Sequence, residues 1–290
     1  MEAPSATFLK KTKAMIEKFI QYLRYIRGYS YNTCRAYEFD VRQFAAWLLT
    51  NKDGARWSTI DRQTIDEYII YLREQGCCAS TTNRVLASIS AIYRYFEREG
   101  LIDYNPTKYE TRAKLPETQP NTIPMTDLWR AYEHARGCVR TMLGLLITTG
   151  LRIQELLDMQ WEDVDFGNNS IKVHGKGQKE RMVYTTASIL APLADLAKHS
   201  NVHGRMFWMC QRKARFMIYE ALRPFTRAKQ VSPHAIRHSY ATQLAAQGVN
   251  VAAISQALGH KHLETTQKYI DMAQVETASK SLPELIIKHQ

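Results

Sequence analysis

The sequence predicts a mainly α-helical protein of two domains, with a small antiparallel β-hairpin or sheet in the second domain. Three observations support this fold class. Apolar residues recur at helical spacing through most of residues 8–95. A polar stretch with prolines and no periodicity covers residues 107–121, as is typical of a linker. Short β-branched and aromatic runs around two glycine-containing turns then indicate strands within residues 163–185.

Residues 1–106 predict a helical domain of four helices joined by short loops. Gly28 and Gly76 follow the first and third periodic segments, where a helix end is expected. Ser30 and Ser80 precede the second and fourth, and serine is a favoured N-cap residue. The remaining residues, 122–290, form the second predicted domain, which ends in a short helical tail over about 274–290.

Composition and charge favour a cytoplasmic protein that binds nucleic acid. The net charge is +11, of which residues 1–106 contribute +3 and residues 107–290 contribute +8. A basic excess attracts polyanions, most commonly DNA or RNA. No apolar run is long enough for a membrane span, and the N-terminus lacks a signal-peptide pattern. The five cysteines are odd in number and irregularly spaced, which argues against disulfides and a zinc site.

Two basic residues of the second domain lie beside predicted turns. Gly150 closes an apolar helix over 138–149, and Arg152 begins the next turn. Taken alone, Arg152 is best interpreted as capping carbonyls or pairing with Glu155. Lys176 lies at a glycine-flanked hairpin tip, where a lysine is more often simply solvated.

The chain from 234 to 269 concentrates side chains that can handle a phosphodiester. Its sequence is HAIRHSYATQLAAQGVNVAAISQALGHKHLETTQKYI. His234 and Arg237 share a helix face at their spacing of three, and arginine offers a bidentate fork to phosphate oxygens. His260 follows a Leu-Gly pair, and Tyr269 comes nine residues later. Tyrosine can act as a nucleophile if its neighbours stabilise the phenolate.

This composite pattern resembles the tyrosine recombinases, the family of phage integrases and Xer-type recombinases. Two upstream stretches, TTGLRIQELLDMQWEDVD and IKVHGKGQKERMV, resemble the motifs that carry the family's first arginine and its lysine. The resemblance implies a SAM-like core-binding domain followed by a catalytic domain. All six catalytic positions that the family leads us to expect are occupied in this sequence, by Arg152, Lys176, His234, Arg237, His260 and Tyr269.

The resemblance implies strand exchange in DNA without a cofactor or metal. Tyr269 would attack the scissile phosphate, and the two arginines would stabilise the charge that develops. Lys176 would protonate the leaving 5′-oxygen, and His234 would accept or relay the tyrosine proton. His260 would hydrogen-bond the phosphate.

Double-stranded DNA with specific sites is the expected partner, and the linker would let two domains clamp a duplex. Strand exchange needs four protomers on paired sites, and the tail over 274–290 would join them; docking on its own domain is the simpler alternative. Candidate phosphate contacts, each of which could equally be an ordinary solvated side chain, are Arg35, Arg42, Arg84, Arg94, Arg212, Lys213 and Arg215.

Three rival hypotheses remain open at this point. His234 and His238 could bind zinc at their i, i+4 spacing, although the H-E-x-x-H pattern of zinc hydrolases is absent. A type IB topoisomerase-like enzyme would use the same chemistry to relax DNA without exchanging partners. A DNA-binding protein of the same fold could be catalytically silent. The sequence does not indicate the DNA site or the biological role, whether dimer resolution, integration or transposition.

Overall fold

The chain divides into two compact units, Met1–Glu117 and Thr118–Gln290. The division falls inside the segment predicted as a linker, while the predicted domain limits themselves stay a prediction. Within the described part of the chain, no helix combines the length and apolarity that a membrane span requires. A computed structural model describes residues 4–52, 54–109, 112–115, 120–175, 180–199, 202–259, 263 and 266–272, with side chains from residue 11 onward.

Four long helices build the first unit, as the apolar periodicity predicts. Ser30 caps the second helix by accepting a hydrogen bond from the Thr33 amide, and Asp61 caps the third in the same way through the Thr64 amide. Between the first two helices the chain makes a π-helical turn, Tyr22–Ile26. The helices are α1 (Pro4–Gln21), α2 (Tyr31–Asn51), α3 (Arg62–Glu74) and α4 (Ala79–Arg98).

An aromatic core holds these helices together. Phe44 of α2 lies against Tyr68 of α3, with 4.9 Å between ring centroids, and Trp57 contacts Phe96 of α4 at 5.3 Å. Such ring pairs add stabilisation beyond the apolar area that they bury.

The beginning of the predicted linker is attached to the first unit. Thr107 is buried, and its hydroxyl donates to the Asn105 side chain. The Asn83 side chain of α4 hydrogen-bonds both the carbonyl and the amide of Ala113, at 2.8 and 2.9 Å. The backbone of Ala113, within the predicted linker, is therefore held to α4.

Within its described ranges, the second unit contains seven α-helices, a further helical segment over 266–272 and one small sheet. The helix Gly137–Thr149 contacts most of the others, and its apolar stretch over 142–147 is wholly buried. The helices are α5 (Met125–His134), α6 (Gly137–Thr149), α7 (Ile153–Asp158), α8 (Ala187–His199), α9 (Gln211–Leu222), α10 (Pro233–Ala246) and α11 (Val251–Leu258).

The sheet is antiparallel in the order β1, β2, β3, as the two predicted turns require. Its strands are β1 (Val164–Asp165), β2 (Ser170–His174) and β3 (Glu180–Tyr184). Ile171 pairs with Val183, and both side chains point into the core. The tip of the β2–β3 hairpin, with Lys176, lies outside the described residues.

Helix α9 is shorter than the sequence pattern predicts. The sequence predicts a helix from residue 212 to about residue 228, but the helix ends at Leu222 and a 3-10 turn, Arg223–Phe225, follows. Pro224 explains the difference, because its ring cannot donate the next backbone hydrogen bond and clashes with the preceding turn. The turn redirects the chain towards α10, which begins with Ser232 as N-cap and Pro233 at its first position.

Candidate active site

Arg237 lies at the centre of the site, on the buried face of α10. Its side chain is 1% exposed, and its guanidinium donates to the carbonyls of Gly150 at 2.7 Å and Leu258 at 2.6 Å. These carbonyls belong to the C-terminal ends of α6 and α11, which carry partial negative charge. Burial and, to a lesser degree, the nearby Arg152 lower the pKa of Arg237 to about 10, so it stays charged at neutral pH.

The guanidinium group of Arg152 is held by hydrogen bonds, yet the side chain stays partly exposed. It is the N-cap residue of α7, where its amide donates to the Glu155 carboxylate at 2.9 Å. One guanidinium nitrogen donates to the same carboxylate at 2.8 Å, and the group also reaches the carbonyls of Leu258 and Gly259 at 3.4 and 3.3 Å. The side chain nevertheless remains 41% exposed. Pairing with Glu155, the simple interpretation of this arginine, thus coexists with a surface that can meet a ligand.

Glu155 joins this arginine to a second one on the sheet. Arg181 of β3 donates to both carboxylate oxygens of Glu155, at 3.1 and 2.8 Å, in a bidentate pair. Burial on its own would raise the pKa of Glu155, but hydrogen bonds from Arg181 and then Arg152 outweigh it and hold the pKa at about 2. The carboxylate is therefore ionised at neutral pH.

The last turn of α11 serves as a shared acceptor for the arginines. The Ala257 carbonyl accepts from Arg181 at 2.9 Å, and the next two carbonyls accept from Arg152 and Arg237. Gly259 ends the helix in the left-handed region at φ +64°. Three guanidinium groups thus face one carboxylate, and the excess positive charge favours a bound anion.

Tyr269 meets a histidine that the sequence analysis did not select for catalysis. It lies in a helical segment over 266–272, is 3% exposed, and packs against Ile254 and Leu258 of α11. Its hydroxyl lies 2.6 Å from Nδ1 of His238 on α10. Burial raises the pKa of Tyr269 more than the positive charges of Arg237 and Arg152 lower it, so the phenol is neutral in this arrangement.

His234 lies one helical turn before His238, on the same face of α10. The two rings are 4.4 Å apart and nearly perpendicular. The pKa of His234 is lowered, first by burial of the ring and then by the positive charges of Arg237, Arg152 and Arg215. A neutral imidazole at neutral pH can accept a proton, as the role implied for His234 requires.

The structure thus brings four of the six predicted residues together, namely Arg152, His234, Arg237 and Tyr269. Lys176 and His260 lie outside the described residues. Glu155, Arg181 and His238 complete the arrangement, although none of them was predicted as a residue of the recombinase site. The acidic residue three positions after Arg152 and the second histidine of the H-x-x-R-H string were available signals. No signal in the local sequence singled out Arg181.

The candidate phosphate contacts of the first unit differ in how they are held. Arg84 pairs with the buried Asp40, and Arg42 pairs with Glu38 at 2.7 Å. Arg94 donates to the Ser90 carbonyl at 3.2 Å within α4.

In the second unit, the basic candidates lie together on α9. Arg212, Lys213 and Arg215 are exposed, and Phe216 beside them is 63% exposed. Arg215 is also near enough to His234 to influence its protonation. Arg215 is therefore the basic residue of α9 that lies nearest to the candidate active site among these three.

The zinc hypothesis finds no support in this geometry. Among the side chains that the structure describes, no group of three His, Cys, Asp or Glu could hold a metal ion. His238 uses Nδ1 for Tyr269, and its ring meets that of His234 edge to face.

Comparison with known proteins agrees with this arrangement. The phage integrase family profile matches residues 126–276, and the N-terminal SAM-like domain of phage integrases matches residues 16–100. Tyrosine recombinase XerC of Myxococcus xanthus is 32% identical, over 88% of this chain and 92% of its own. Tyrosine recombinase XerD of Oceanobacillus iheyensis is 28% identical, with the same two shares.

Solved structures of the same fold include recombinases bound to DNA. XerH site-specific recombinase in a post-cleavage complex with palindromic difH substrate aligns with a TM-score of 0.75 at 17% identity, over 97% of this chain and 85% of that one. A lambda integrase dimer on a COC′ core site aligns with a TM-score of 0.68 at 16% identity, over 89% and 94%.

The chain belongs to the phage integrase family. It is a tyrosine recombinase, an enzyme that cleaves and rejoins DNA through a covalent tyrosine intermediate, and both this function and the predicted fold class are confirmed. The relatives carry recombinase names, so the topoisomerase-like and catalytically silent alternatives gain no support.

Proposed function

We propose that Tyr269 is the nucleophile and that Arg152 and Arg237 bind the scissile phosphate. The observation that carries this assignment is the convergence of both guanidinium groups on the Leu258 carbonyl, which belongs to the helix against which Tyr269 packs. The tyrosine oxygen attacks phosphorus and forms a 3′-phosphotyrosyl bond while the bond to the 5′-oxygen breaks. The arginines stabilise the negative charge of the transition state, where fixed donors act most strongly.

The tyrosine proton leaves towards the two histidines of α10. His238 is in hydrogen-bond contact with the phenol, and His234 lies against His238 with a lowered pKa. A route from Tyr269 to His238, with His234 beyond it, fits these contacts. Lys176 would supply the proton of the 5′-hydroxyl and His260 would hydrogen-bond the phosphate, as the family resemblance implies.

Cleavage requires Tyr269 to change its surroundings. A side chain that is 3% exposed reaches a phosphate of the duplex only if residues 266–272 shift. The hydrogen bond to His238 and the contacts with Ile254 and Leu258 hold the tyrosine back until then. DNA that binds the two arginines would favour the shifted arrangement by mass action.

DNA contacts are proposed on both units. The exposed basic face of α9 would lie along the duplex beside the active site, with Arg212, Lys213 and Arg215 at phosphates. The first unit would contribute Arg35 and Arg94. Arg42 and Arg84 would contribute as well, but each would share its charge with a carboxylate.

The proposed assembly is a tetramer on paired sites, joined by the tail over 274–290. This tail lies outside the described residues. The proposal rests on the apolar side chains in its sequence and on the fact that strand exchange requires four DNA cuts. The predicted linker would let the two units hold the duplex from opposite sides, and a cytoplasmic location is expected.

Trapping the covalent intermediate tests the assignment of Tyr269. The wild-type protein is mixed with genomic DNA of its source, denatured with detergent, and the DNA that stays attached is sequenced. A duplex carrying the recovered site and a nick near the cleavage point then reports adduct formation directly. Tyr269→Phe should bind this duplex and give no adduct; an adduct that persists in the variant contradicts the assignment.

The same material separates recombination from simple relaxation. A recombinase should exchange two plasmids that carry the recovered site and leave a plasmid without the site supercoiled. Relaxation of the plasmid without the site, with no exchange between the others, would favour the topoisomerase-like alternative.

A further inference from the structure

Arg181 makes no contribution to the proposed chemistry so far, yet it is nearly buried beside it. Its side chain is 12% exposed, and all three of its guanidinium nitrogens donate to protein acceptors. Two donate to the Glu155 carboxylate and the third to the Ala257 carbonyl. Because every nitrogen is engaged and the side chain is covered, Arg181 is not placed to bind DNA as Arg152 is.

We propose that Arg181 is a positioning residue for DNA cleavage, which fixes the Glu155 carboxylate and the last turn of α11. These two groups in turn hold the guanidinium groups of Arg152 and Arg237 in the orientation that receives the phosphate. The inference rests on the proposed function of those two arginines. It assigns Arg181 an effect on the rate of cleavage without a contact to the substrate.

The first step of the argument is that Glu155 needs two cations. It is 7% exposed, and an ionised carboxylate at that depth is costly unless it is paired and hydrogen-bonded. Arg181 and Arg152 supply this pairing, and Arg237 faces it from α10 as a more distant charge. Without Arg181 the carboxylate would depend mainly on Arg152, the residue that also has to turn towards the phosphate.

The second step is that Arg181 holds the backbone that orients the other arginines. Its Nε bond to Ala257 anchors the turn whose next two carbonyls accept from Arg152 and Arg237. Gly259 packs directly on the guanidinium, since a Cβ atom there would lie 3.1 Å from Nη1 of Arg181. Gly259 also precedes His260 in the sequence, so the anchored turn leads into a further predicted catalytic residue.

The third step is that only an arginine fits this position. A planar fork satisfies both carboxylate oxygens while its Nε serves the carbonyl, and the compact ammonium of a lysine cannot reach all three acceptors at once. A lysine at residue 181 should therefore restore charge balance but not the full geometry.

The chain offers a matched control. Arg205 also pairs with a carboxylate of α7, through Asp158 at 3.0 Å, but at the far end of the helix and with both side chains well exposed. Arg205→Met therefore removes an arginine–carboxylate pair from the same helix without disturbing the site.

The experiment measures adduct formation on the nicked duplex and, separately, binding of the intact site. Arg181→Met should slow adduct formation roughly 10²-fold, the scale expected for a misplaced catalytic group, with binding within about threefold of the wild type. The rate of adduct formation by Arg181→Lys should lie between those of Arg181→Met and the wild type, and the rate of Arg205→Met should match the wild type. Arg181→Met or Arg181→Lys cleaving at the wild-type rate overturns the inference.

A pH profile distinguishes positioning from general loss of structure. In Arg181→Met only Arg152 remains close to the Glu155 carboxylate, so burial raises the pKa of Glu155 above its value in the wild type. As pH falls, the carboxyl takes up a proton and no longer holds Arg152. Arg181→Met should therefore lose additional activity between pH 8 and pH 5, and the double variant with Glu155→Gln, which has no carboxyl to titrate, should not. Parallel profiles for Arg181→Met and the wild type contradict the mechanism.

Two controls separate failure of this inference from failure of the proposed function. If the wild type itself forms no adduct, the proposed function is wrong. If Arg181→Met does not fold, as judged by thermal unfolding, Arg181→Lys decides the matter, because a lysine variant with wild-type kinetics contradicts the need for the fork.

Discussion

The Nδ1 atom of His238 and the hydroxyl oxygen of Tyr269 are 2.6 Å apart. Either group can be the donor in this contact, and when the phenol donates, Nδ1 carries no proton and the ring is the tautomer protonated at Nε2. The contact makes His238, one turn beyond His234, the first base that the nucleophile meets.

Replacing His238 should slow cleavage while sparing DNA binding. His238→Asn retains a hydrogen-bonding group near the Nδ1 position but cannot take the proton, so adduct formation should fall roughly 10²-fold. His203→Ala, which changes an exposed histidine of the same unit, serves as the control. An unchanged rate in His238→Asn, measured on the nicked duplex, would show that the phenol proton leaves by another route.

A methyl group at residue 150 should destabilise the second unit. Gly150 has φ +62°, and an added Cβ would overlap the ring of Tyr240 and approach Leu258. Backbone strain and overpacking together should cost about 2–4 kcal/mol.

The matched control is Gly204→Ala, where φ is +69° and the space around the Cβ is open. Only the backbone strain of about 1–2 kcal/mol is then expected. Urea unfolding compares the two variants, and equal losses would mean that the contact with Tyr240 contributes nothing.

The local pattern of the sequence was sufficient for most elements of the fold. Apolar periodicity and glycine-containing turns placed the four helices of the first unit and the three strands of the second. Ser30 is the N-cap of α2 as predicted, whereas Ser80 lies inside α4, whose N-cap is Cys78. The predicted end of α9, near residue 228, was too late because Pro224 lacks the N–H that a longer helix would need, and the helix stops at Leu222.

The candidate site was only partly accessible from sequence. Arg152, His234, Arg237 and Tyr269 came from a composite motif, and the structure brings them together. The Glu155–Arg181 pair joins residues 26 positions apart on a helix and a strand. Such a contact depends on tertiary packing, and no spacing rule within one element could have indicated it.

Loss of the Lys176 amine should be rescued by a better leaving group. In Lys176→Ala the departing 5′-oxygen lacks its proton donor, so cleavage should slow roughly 10²–10⁴-fold. A substrate with sulfur at the 5′-bridging position needs no donor, because a thiolate leaves readily. Comparable slowing of both substrates would exclude Lys176 as the acid.

Limited trypsin digestion should cut the native protein first after Lys114. Asn83 holds the backbone of Ala113 through two hydrogen bonds, whereas the following residues belong to the polar, proline-containing stretch. Two stable fragments should result, and bound DNA should protect the bond. A first cut within 124–270 would contradict the proposed boundary between the units.

Removal of the tail should separate binding from assembly. Truncation after Asp271 should leave binding to a single site nearly intact and weaken complexes that contain two sites, because the short apolar tail needs a surface to bury its side chains. Gel shifts with one and two sites measure both effects. If paired-site complexes form at the wild-type concentration, the tail docks on its own unit.

The backbone carbonyls of residues 257–259 accept hydrogen bonds from three arginines, and no side chain of these residues takes part. Replacing the side chains of Ala257 or Leu258 one by one leaves every one of these acceptors chemically unchanged. A conventional alanine scan is therefore blind to them. A one-residue insertion or deletion in α11 would rotate the acceptors by about 100°, as follows from 3.6 residues per turn, and would expose their contribution at once.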